Sequence, residues 1–591
     1  MKPGVFILLF AVVFLNVCVS QNNREYKTWN PAADTIKTLE GQAWPVEIKN
    51  FYSRLPAKAE QLVRQDVWDL SKNSAGLQLR FRTNADEIII KYTLDGALQF
   101  PHMPATGVSG IDLYSKTIDG KWLRAAGKYD FDDTVSFQFT NLLTADQHVG
   151  NREYTLYLPL YNSVKWMEIS VPKESFFKPL PVHNDNPIIV YGTSIAQGAC
   201  ASRPGLAWTN ILGRKLDRAV INLGFSGNAR MEKSVIDLMA AAAAKIYVLD
   251  CLPNMAGGIF TAAEVKKRLV EAVKILQEKR AGTPILFCDH DGYTGDGIND
   301  VKRKEYEGIN LVLKEVVDSL TAAGIKNIYR LSKEEINQDI ESMVDAVHPN
   351  DIGMMHYADA YEKKIKEILN QPAGSISTTI PITQRRDFNV YDWEPRHNEI
   401  LKFNKTTPPK LVLIGNSITH FWGGKPQGPR DSGIDSWNKY FGNREAVNMG
   451  FGWDRIENVL WRVYHGELDS IAPKQIVLMI GTNNIGLNTN EEIVQGLQFL
   501  VKAIQAKQPA ANILMMGIFP RRDTEKRIVE LNKMIKENIK GAAITFADAG
   551  YLLLKEDKKI DEDMFSDGLH PNAAGYEKLG AFIDQQLLKM K

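Results

Sequence analysis

The sequence contains few of the residues that build disulfide frameworks and metal centres. Its 591 residues include 4 cysteines and 10 histidines, and neither a HExxH nor a CxxC pattern occurs. Three cysteines remain beyond the N-terminal segment, namely Cys200, Cys251 and Cys288, which are too few for a disulfide framework even in an oxidising compartment. We therefore expect no disulfide and no cofactor, and a catalytic chemistry that needs no metal ion.

An excess of charge of either sign is also missing. The chain has 71 Lys and Arg residues against 70 Asp and Glu residues, a formal net charge of +1. It therefore lacks the basic field that phosphate backbones and anionic membranes attract. This balance argues against nucleic acid as a partner.

Long apolar runs are confined to the N-terminus. The segment MKPGVFILLFAVVFLNVCVS has one Lys, an apolar run, and the small residues Cys18 and Ser20 before Gln21. This pattern predicts a cleaved signal peptide over residues 1–20, and hence a secreted or periplasmic protein. A membrane anchor is an alternative, although the run is shorter than the roughly 20 residues that a span needs. A lipid attached to Cys18 is another, although Val17 is bulkier than the residue usual there.

Two kinds of hydrophobic periodicity divide the rest of the chain, whose length allows roughly three or four domains. Residues 21–181 contain short alternating runs such as LQLRFRT and EIIIKYTL, which predict an antiparallel β-sandwich. In residues 182–370, apolar runs such as PIIVYG alternate with helical stretches, which predicts a doubly wound parallel sheet. Residues 371–394 are interpreted as a linker that follows this domain. The α/β pattern recurs over residues 395–591, so the sequence predicts two homologous domains behind the sandwich.

Each α/β domain has a serine in the turn after its first strand. Ser194 lies in YGTSIAQG, and Ser417 lies in IGNSITHFWGG. Such a serine is exposed at the carboxyl edge of the sheet, where open α/β sheets bind ligands. Gly-x-Ser turns are common, however, and each serine alone is equally well interpreted as a helix cap.

Turns that could hold an oxyanion follow the next two strands. The Gly-rich turns NLGFSGNAR and NMGFGWDR can aim backbone N–H groups at a developing negative charge, and LDCLPNM and IGTNN present side-chain amides. Each of these turns is unremarkable by itself. The candidate donors are Gly227, Asn254, Gly452, Trp453 and Asn483.

The pattern Asp-x-x-His-Pro-Asn closes both domains, at Asp345 and His348 and again at Asp567 and His570. On a helical turn this spacing would keep both side chains on one side, so that the imidazole takes the serine proton while the carboxylate orients it. The serine precedes the histidine by 154 positions in the first domain and by 153 in the second. Four elements in the same order, twice, indicate two Ser-His-Asp sites.

The order Ser, Gly, Asn, Asp-x-x-His resembles that of the SGNH (GDSL-type) hydrolase superfamily, across both α/β domains. The resemblance implies α/β/α flavodoxin-like folds and metal-free ester hydrolysis. It also implies site roles: Ser194 and Ser417 as nucleophiles, His348 and His570 as bases, Asp345 and Asp567 as their orienting carboxylates, and Gly227, Asn254 and Asn483 as oxyanion donors. Many relatives have Gly-Gly-Asp where this chain has Gly452-Trp453-Asp454, so the second backbone donor is either Gly452 or Trp453. In the first domain LDCLPN replaces Gly-x-Asn-Asp, which makes Asn254 the less direct match and leaves Asp250 as a possible anchor behind the site.

The sandwich carries GIDLY at residues 110–114, which is similar to the GxDLY motif of a domain found ahead of SGNH esterases in gut-type bacteria. Asp112 and Tyr114 either support the sandwich and its interface or contact substrate. The resemblance implies a secreted bacterial esterase with two catalytic domains, whose substrates are acyl, mainly acetyl, esters of polysaccharides. Two alternatives stay open. NVLWRV and IGTNN also resemble platelet-activating-factor-acetylhydrolase-type enzymes, which would favour a lipid substrate, and one domain could instead be a carbohydrate-binding module.

Overall fold

The computed structural model describes residues 24–142 and 151–590, so the predicted signal peptide lies outside the described residues. An antiparallel β-sandwich comes first. Its sheets have the strand orders β1-β10-β4-β8-β7 and β11-β3-β9-β5-β6, with β2 on the outer side of β3. Its elements are β1 Tyr26–Trp29, β2 Leu39–Glu40, α1 Gln65–Ser71, β3 Gln78–Thr83, β4 Ile88–Leu94, α2 Ala105–Val108, β5 Asp112–Lys116, β6 Trp122–Ala125, β7 Lys128–Asp130, β8 Val135–Phe139, β9 Arg152–Tyr157, β10 Val164–Pro172 and β11 Phe177–Pro179.

A five-stranded parallel sheet follows, in the order β13-β12-β14-β15-β16. All five residues of β12 are buried, because helices cover both faces of the sheet and one apolar core lies on each side. Its elements are β12 Ile188–Gly192, α3 Ser194–Gln197, α4 Trp208–Leu216, β13 Val220–Gly224, α5 Lys233–Ala241, β14 Ile246–Asp250, α6 Ala262–Lys279, β15 Ile285–Cys288, α7 Asp300–Ala322, β16 Ile328–Leu331, α8 Lys333–Ile336 and α9 Asp351–Ile368.

The second α/β unit repeats this order as β18-β17-β19-β20-β21. The predicted architecture, a sandwich followed by two flavodoxin-like α/β/α units, is therefore confirmed. Its elements are α10 Trp393–Thr406, β17 Leu411–Gly415, α11 Ser417–His420, α12 Ile434–Phe441, β18 Ala446–Gly450, α13 Ile456–Tyr464, β19 Gln475–Met479, α14 Asn490–Lys507, β20 Asn512–Met516, α15 Glu525–Asn538, β21 Ile544–Ala547 and α16 Ala573–Lys589.

Strand register brings the motif-bearing turns to one edge of each sheet. Gly192 at the end of β12 pairs with Gly224 on one side and with Asp250 on the other. In the second sheet, Gly415 pairs with Gly450 and Met479. Because these strands end level with one another, the turns that follow them meet at the carboxyl edge.

The segment between the two α/β units is packed rather than extended into solvent. Gln384 is fully buried, and its amide donates to the carbonyl oxygen of Gly452 at 2.9 Å and to Asp454 at 3.1 Å. Thr378, also fully buried, donates to the carbonyl oxygen of Glu492 at 2.8 Å. This segment therefore binds the second unit beside its candidate site.

Across the described ranges, no helix combines the length and apolarity needed to cross a membrane.

Two candidate active sites

In the first unit, Ser194 begins α3 immediately after β12, where Thr193 caps the helix by accepting the Ile195 N–H at 3.3 Å. The Ser194 Oγ lies 2.9 Å from His348 Nε2, and His348 Nδ1 lies 2.8 Å from Asp345 Oδ2. Burial opposes ionisation of Asp345, but hydrogen bonds from the His348 ring and from backbone N–H groups outweigh it and lower the pKa of that carboxyl. The three side chains thus form a continuous chain with an anionic end.

The second unit repeats this geometry. Asn416 takes the place of Thr193 and accepts the Ile418 N–H at 2.9 Å. The Ser417 Oγ lies 2.8 Å from His570 Nε2, and His570 Nδ1 lies 2.7 Å from Asp567 Oδ2. Burial again opposes ionisation of Asp567, and the hydrogen bonds from His570 again lower its pKa overall.

The Asp-x-x-His segments are tight turns, so the expectation of a helical turn is wrong. In the first unit, Asp345 Oδ1 accepts the N–H groups of Val347 and His348 at 2.8 and 2.7 Å. Asp side chains form such turns readily and compete with helix formation. The Asn of the same pattern then caps the following helix, Asn350 at α9 and Asn572 at α16. The six-residue pattern therefore has a structural reason for both its first and its last residue.

The turns after β13 and β18 share an unusual backbone. Gly227 has φ +68° and Trp453 has φ +61°, so a tryptophan occupies a left-handed conformation that favours glycine. The preceding N–H is already bonded in both units: that of Ser226 donates to Gln197 Oε1 at 3.0 Å, and that of Gly452 donates to His420 Nδ1 at 3.1 Å. Among the described residues, the N–H groups of Gly227 and Trp453 have no acceptor.

The two candidate amides also occupy equivalent positions. Asp250 and Met479 pair with Gly192 and Gly415, and Asn254 and Asn483 each follow four residues later. Asn483 Nδ2 donates to the Asp454 carbonyl oxygen at 2.9 Å. Asn254 lies against the equivalent turn, where its Oδ1 can accept the N–H groups of Asn228 and Ala229 at 3.0 and 3.1 Å. Both amides thus contact the turn that carries the unpaired N–H.

The sandwich forms one side of the first site. A cavity of about 590 Å³ opens beside His348, and most of its lining comes from the sandwich side of the chain. The Tyr161 hydroxyl of this lining also donates to the Ser194 carbonyl oxygen at 3.1 Å. Neither Tyr161 nor the other sandwich residues of this lining are predicted from the sequence. The lining residues are Asp66, Asp69, Leu70, Asn73, Phe100, His102, Met103, Tyr161, Ala199, Ser226, Asn228 and His348.

The GxDLY residues lie at the interface between the sandwich and the first α/β unit. Asp112 is buried, binds Arg203 and accepts the Gly205 N–H at 3.0 Å. The Tyr114 hydroxyl accepts from Arg203 Nη1 at 2.7 Å. Of the two roles considered for this motif, the contacts favour support of the interface.

Different groups surround the second site. The Trp453 side chain is 51% exposed, and the Phe421 and His570 rings lie 5.3 Å apart between centroids. Burial raises the pKa of Asp387 to about 6, against the opposing effect of Arg430. The two serines therefore face different surfaces.

Comparisons with known proteins agree with the fold. Residues 185–366 and residues 413–578 each match a GDSL-like lipase/acylhydrolase family, and residues 26–177 match the GxDLY domain, the N-terminus of SGNH-hydrolase-type esterases. The chain therefore belongs to the SGNH (GDSL-type) hydrolases with an N-terminal GxDLY domain. Its activity is that of an esterase of the acylhydrolase type.

Individual proteins are similar to parts of the chain. The crystal structure of a GDSL-like lipase from Bacteroides ovatus is 31% identical with a TM-score of 0.53, and the match covers 58% of this chain and 98% of that one. The human platelet-activating factor acetylhydrolase IB subunits alpha1 and alpha2 are 28% and 31% identical, over 203 and 204 residues. Each match covers 34% of this chain and 84% of the relative.

Proposed function

We propose that both α/β units hydrolyse acyl esters with their Ser-His-Asp sets. The observation that carries this proposal is the unbroken hydrogen-bond chain in each unit, with the serine Oγ 2.9 and 2.8 Å from a histidine whose other nitrogen binds a carboxylate. Each serine attacks the ester carbonyl carbon while its histidine takes the hydroxyl proton. The histidine then protonates the leaving alcohol, and water, activated by the same histidine, releases the acid.

The choice of backbone oxyanion donors rests on which backbone N–H groups have no acceptor among the described residues. We assign the backbone N–H of Gly227 in the first site and of Trp453 in the second, together with the amides of Asn254 and Asn483. Gly452 is left out because its N–H donates to His420. Each preorganised donor contributes about 3 to 4 kcal/mol to stabilising the tetrahedral intermediate, since it is aimed where the charge develops.

We assign acetylated polysaccharide as the substrate of the first site, encountered outside the cytoplasm. The cavity beside His348 combines the aromatic rings of Phe100 and Tyr161, which offer faces for a sugar, with the polar groups of Asp66, Asp69 and Asn73, which can bind hydroxyls. The relatives named acetylhydrolases support a short acyl group. Secretion rests on the predicted signal peptide at residues 1–20.

A lipid acetyl ester is the second candidate. It is favoured by the relatives named for platelet-activating factor, at up to 31% identity. It would suit the second site, whose donor turn carries the half-exposed Trp453.

The test is acetate release from acetylated xylan, acetylated pectin, platelet-activating factor and an aryl acetate. Wild type is compared with Ser194→Ala, Ser417→Ala and the double variant. We expect each single variant to lose turnover at its own site by a factor on the order of 10⁶ and to keep that of the other. Unchanged aryl-acetate hydrolysis in the double variant would refute both sites, and preference for platelet-activating factor would replace the polysaccharide assignment.

A further inference from the structure

Four side chains with metal-binding atoms converge beside Ser194. They are His102, Cys200, Asp345 and His348, and one donor atom of each lies within 4.8 Å of the others. They come from three separate segments: the loop before α2, the loop after α3, and the turn that carries the catalytic pair. Local sequence patterns do not predict this cluster, because no two of these segments are neighbours in the chain.

The cluster has the donor chemistry of a zinc site. Zinc binds imidazole nitrogen, thiolate sulfur and carboxylate oxygen, usually four of them in a tetrahedron. With Zn–N near about 2.0 Å and Zn–S near about 2.3 Å, tetrahedral donors stand roughly 3.5 Å apart. A set already within 4.8 Å therefore closes by small side-chain rotations.

Two further observations single out the first site. Cys200 is buried at φ +66°, a left-handed backbone conformation, and its thiol lies 3.6 Å from the His102 carbonyl oxygen. In the second unit, the sequence position that corresponds to Cys200, counted from Ser417, is Gly423, which has no side-chain atom to bind a metal ion. The His102 and His348 rings are stacked with centroids 5.9 Å apart, and both line the 590 Å³ cavity, which gives an ion access from solvent.

We propose that His102, Cys200, Asp345 and His348 bind a divalent cation of the zinc type and that the bound ion reversibly inactivates the first site alone. When the metal–sulfur bond forms, the Cys200 thiol releases its proton to solvent and no electron is transferred. Both ring nitrogens of His348 are already used, Nε2 by Ser194 and Nδ1 by Asp345. A metal–nitrogen bond must replace one of these, so Ser194 loses its base or the base loses its orientation.

Cation binding is tested with Co²⁺, because its bond to a thiolate gives an intense near-ultraviolet absorption. We expect one equivalent of Co²⁺ per full-length chain to produce that band, and Zn²⁺ to displace it. Cys200→Ser should abolish the band, whereas Cys251→Ser, which replaces another buried thiol, should leave it unchanged. Absence of the band in wild type, or its survival in Cys200→Ser, overturns the site.

Inhibition rests on the proposed function and is measured with an aryl acetate. Ser417→Ala leaves the first site, and Ser194→Ala leaves the second. We expect Zn²⁺ to lower Ser417→Ala activity more than tenfold, a chelator to restore it, and Ser194→Ala to change less than twofold. Adding Cys200→Ser to Ser417→Ala should raise the Zn²⁺ concentration for half inhibition at least tenfold.

Equal inhibition of both sites overturns the proposed selectivity. A Co²⁺ band in a Ser417→Ala protein that is inactive without metal refutes the proposed function while leaving the cation site standing.

Discussion

At the scale of single residues, the third residue after each serine positions the turn that carries the proposed backbone donor. Gln197 Oε1 and His420 Nδ1 each accept the N–H at the start of that turn. Burial, together with Arg396 and Arg462, keeps the pKa of His420 well below its usual value. The ring is therefore neutral, and its Nδ1 remains an acceptor across the working pH range.

His420→Gln should retain second-site activity, because a Gln at this position accepts the equivalent N–H in the first site. His420→Ala removes the acceptor, and we expect kcat at that site to fall by a factor on the order of 10² with little change in KM, since misplacing a donor mainly affects the transition state. Both are measured in the Ser194→Ala background. Equal losses in the Gln and Ala variants would contradict this role.

The stability of the first α/β unit depends on the protonation state of the buried Asp250 carboxyl. Burial, reinforced by Asp291, raises its pKa to about 7, against the effect of the hydrogen bonds from Tyr361 and Cys288. Because the folded-state pKa lies above the unfolded value near 3.8, the stabilising contribution of the neutral form is complete below that value and is lost as the pH rises to about 7.

Asp250→Asn keeps an oxygen for the Tyr361 hydroxyl, which donates to Asp250 at 3.1 Å, and removes the charge. We expect the Tm of the variant to exceed that of wild type at pH 8 and the difference to shrink at pH 4. Calorimetry at both pH values provides the measurement. A difference independent of pH would show that Asp250 does not titrate in this window.

The sequence predicted which residues of the two Ser-His-Asp sets come together, because their motifs recur at matching intervals. It did not predict Gln197, His420 or His102. Gln197 and His420 accept the equivalent N–H with different side chains, so the two domains share no residue type at this position that would mark it. His102 reaches the first site only through packing between domains, which local patterns do not encode.

At the scale of elements, the loop between β5 and β6 supports the second site from the sandwich. Asp119 in this loop binds Arg386 and, at 3.2 Å, Arg455. Arg386 in turn donates to the Trp453 carbonyl oxygen at 2.9 Å. The carboxylate therefore holds two like charges together behind the turn that carries the proposed donor.

Asp119→Ala should release this pair, because burial and then repulsion by Arg386 already lower the pKa of Arg455, and Asp119 opposes that shift. We expect second-site kcat to fall several-fold up to about tenfold, since the donor turn loses support rather than a donor. First-site activity, measured in Ser417→Ala, serves as the control. Equal changes at both sites would indicate a general loss of stability instead.

The regular elements followed from the hydrophobic pattern, whereas two irregular ones did not. Parallel strands such as β12 and β17 were predicted because buried apolar runs between helical stretches have few other interpretations. The three-residue spacing of Asp-x-x-His does not distinguish a helical turn from the tight turn that the structure shows. The prediction of a linker did not include the packing of Gln384, because the groups that Gln384 binds, Gly452 and Asp454, lie far along the chain.

At the scale of the whole molecule, the three units share polar contacts. Asp217 of the first α/β unit binds Lys116 of the sandwich at 2.6 Å and the Trp461 indole N–H of the second unit at 3.1 Å. Such pairs join residues more than 100 positions apart, so a single sequence gives no basis for predicting them. The sandwich thereby becomes part of the scaffold of both sites.

The sandwich segment that lines the first site depends on Arg54. This side chain is fully buried and donates to the carbonyl oxygens of Asn222 at 3.0 Å and Gly224 at 2.8 Å, both on β13. It also donates to the carbonyl oxygens of Leu70 and Asn73, two residues of the cavity lining, at 2.6 and 2.9 Å. Arg54 thus links the segment that carries Leu70 and Asn73, one wall of the cavity, to β13, the edge strand of the first sheet.

Arg54→Met should fill much of the space but removes the hydrogen bonds to these four carbonyl oxygens, at a cost of about 3 to 5 kcal/mol in the free energy of unfolding. Because the wall is then no longer held, we expect KM at the first site to rise about tenfold for acetylated polysaccharide but much less for a small aryl acetate, which needs less of the wall. Second-site activity, assayed in Ser194→Ala, should persist below the lowered Tm. Equal effects on the large and the small ester would mean that the sandwich wall does not contact the substrate, and that the cavity beside His348 admits only the acyl group.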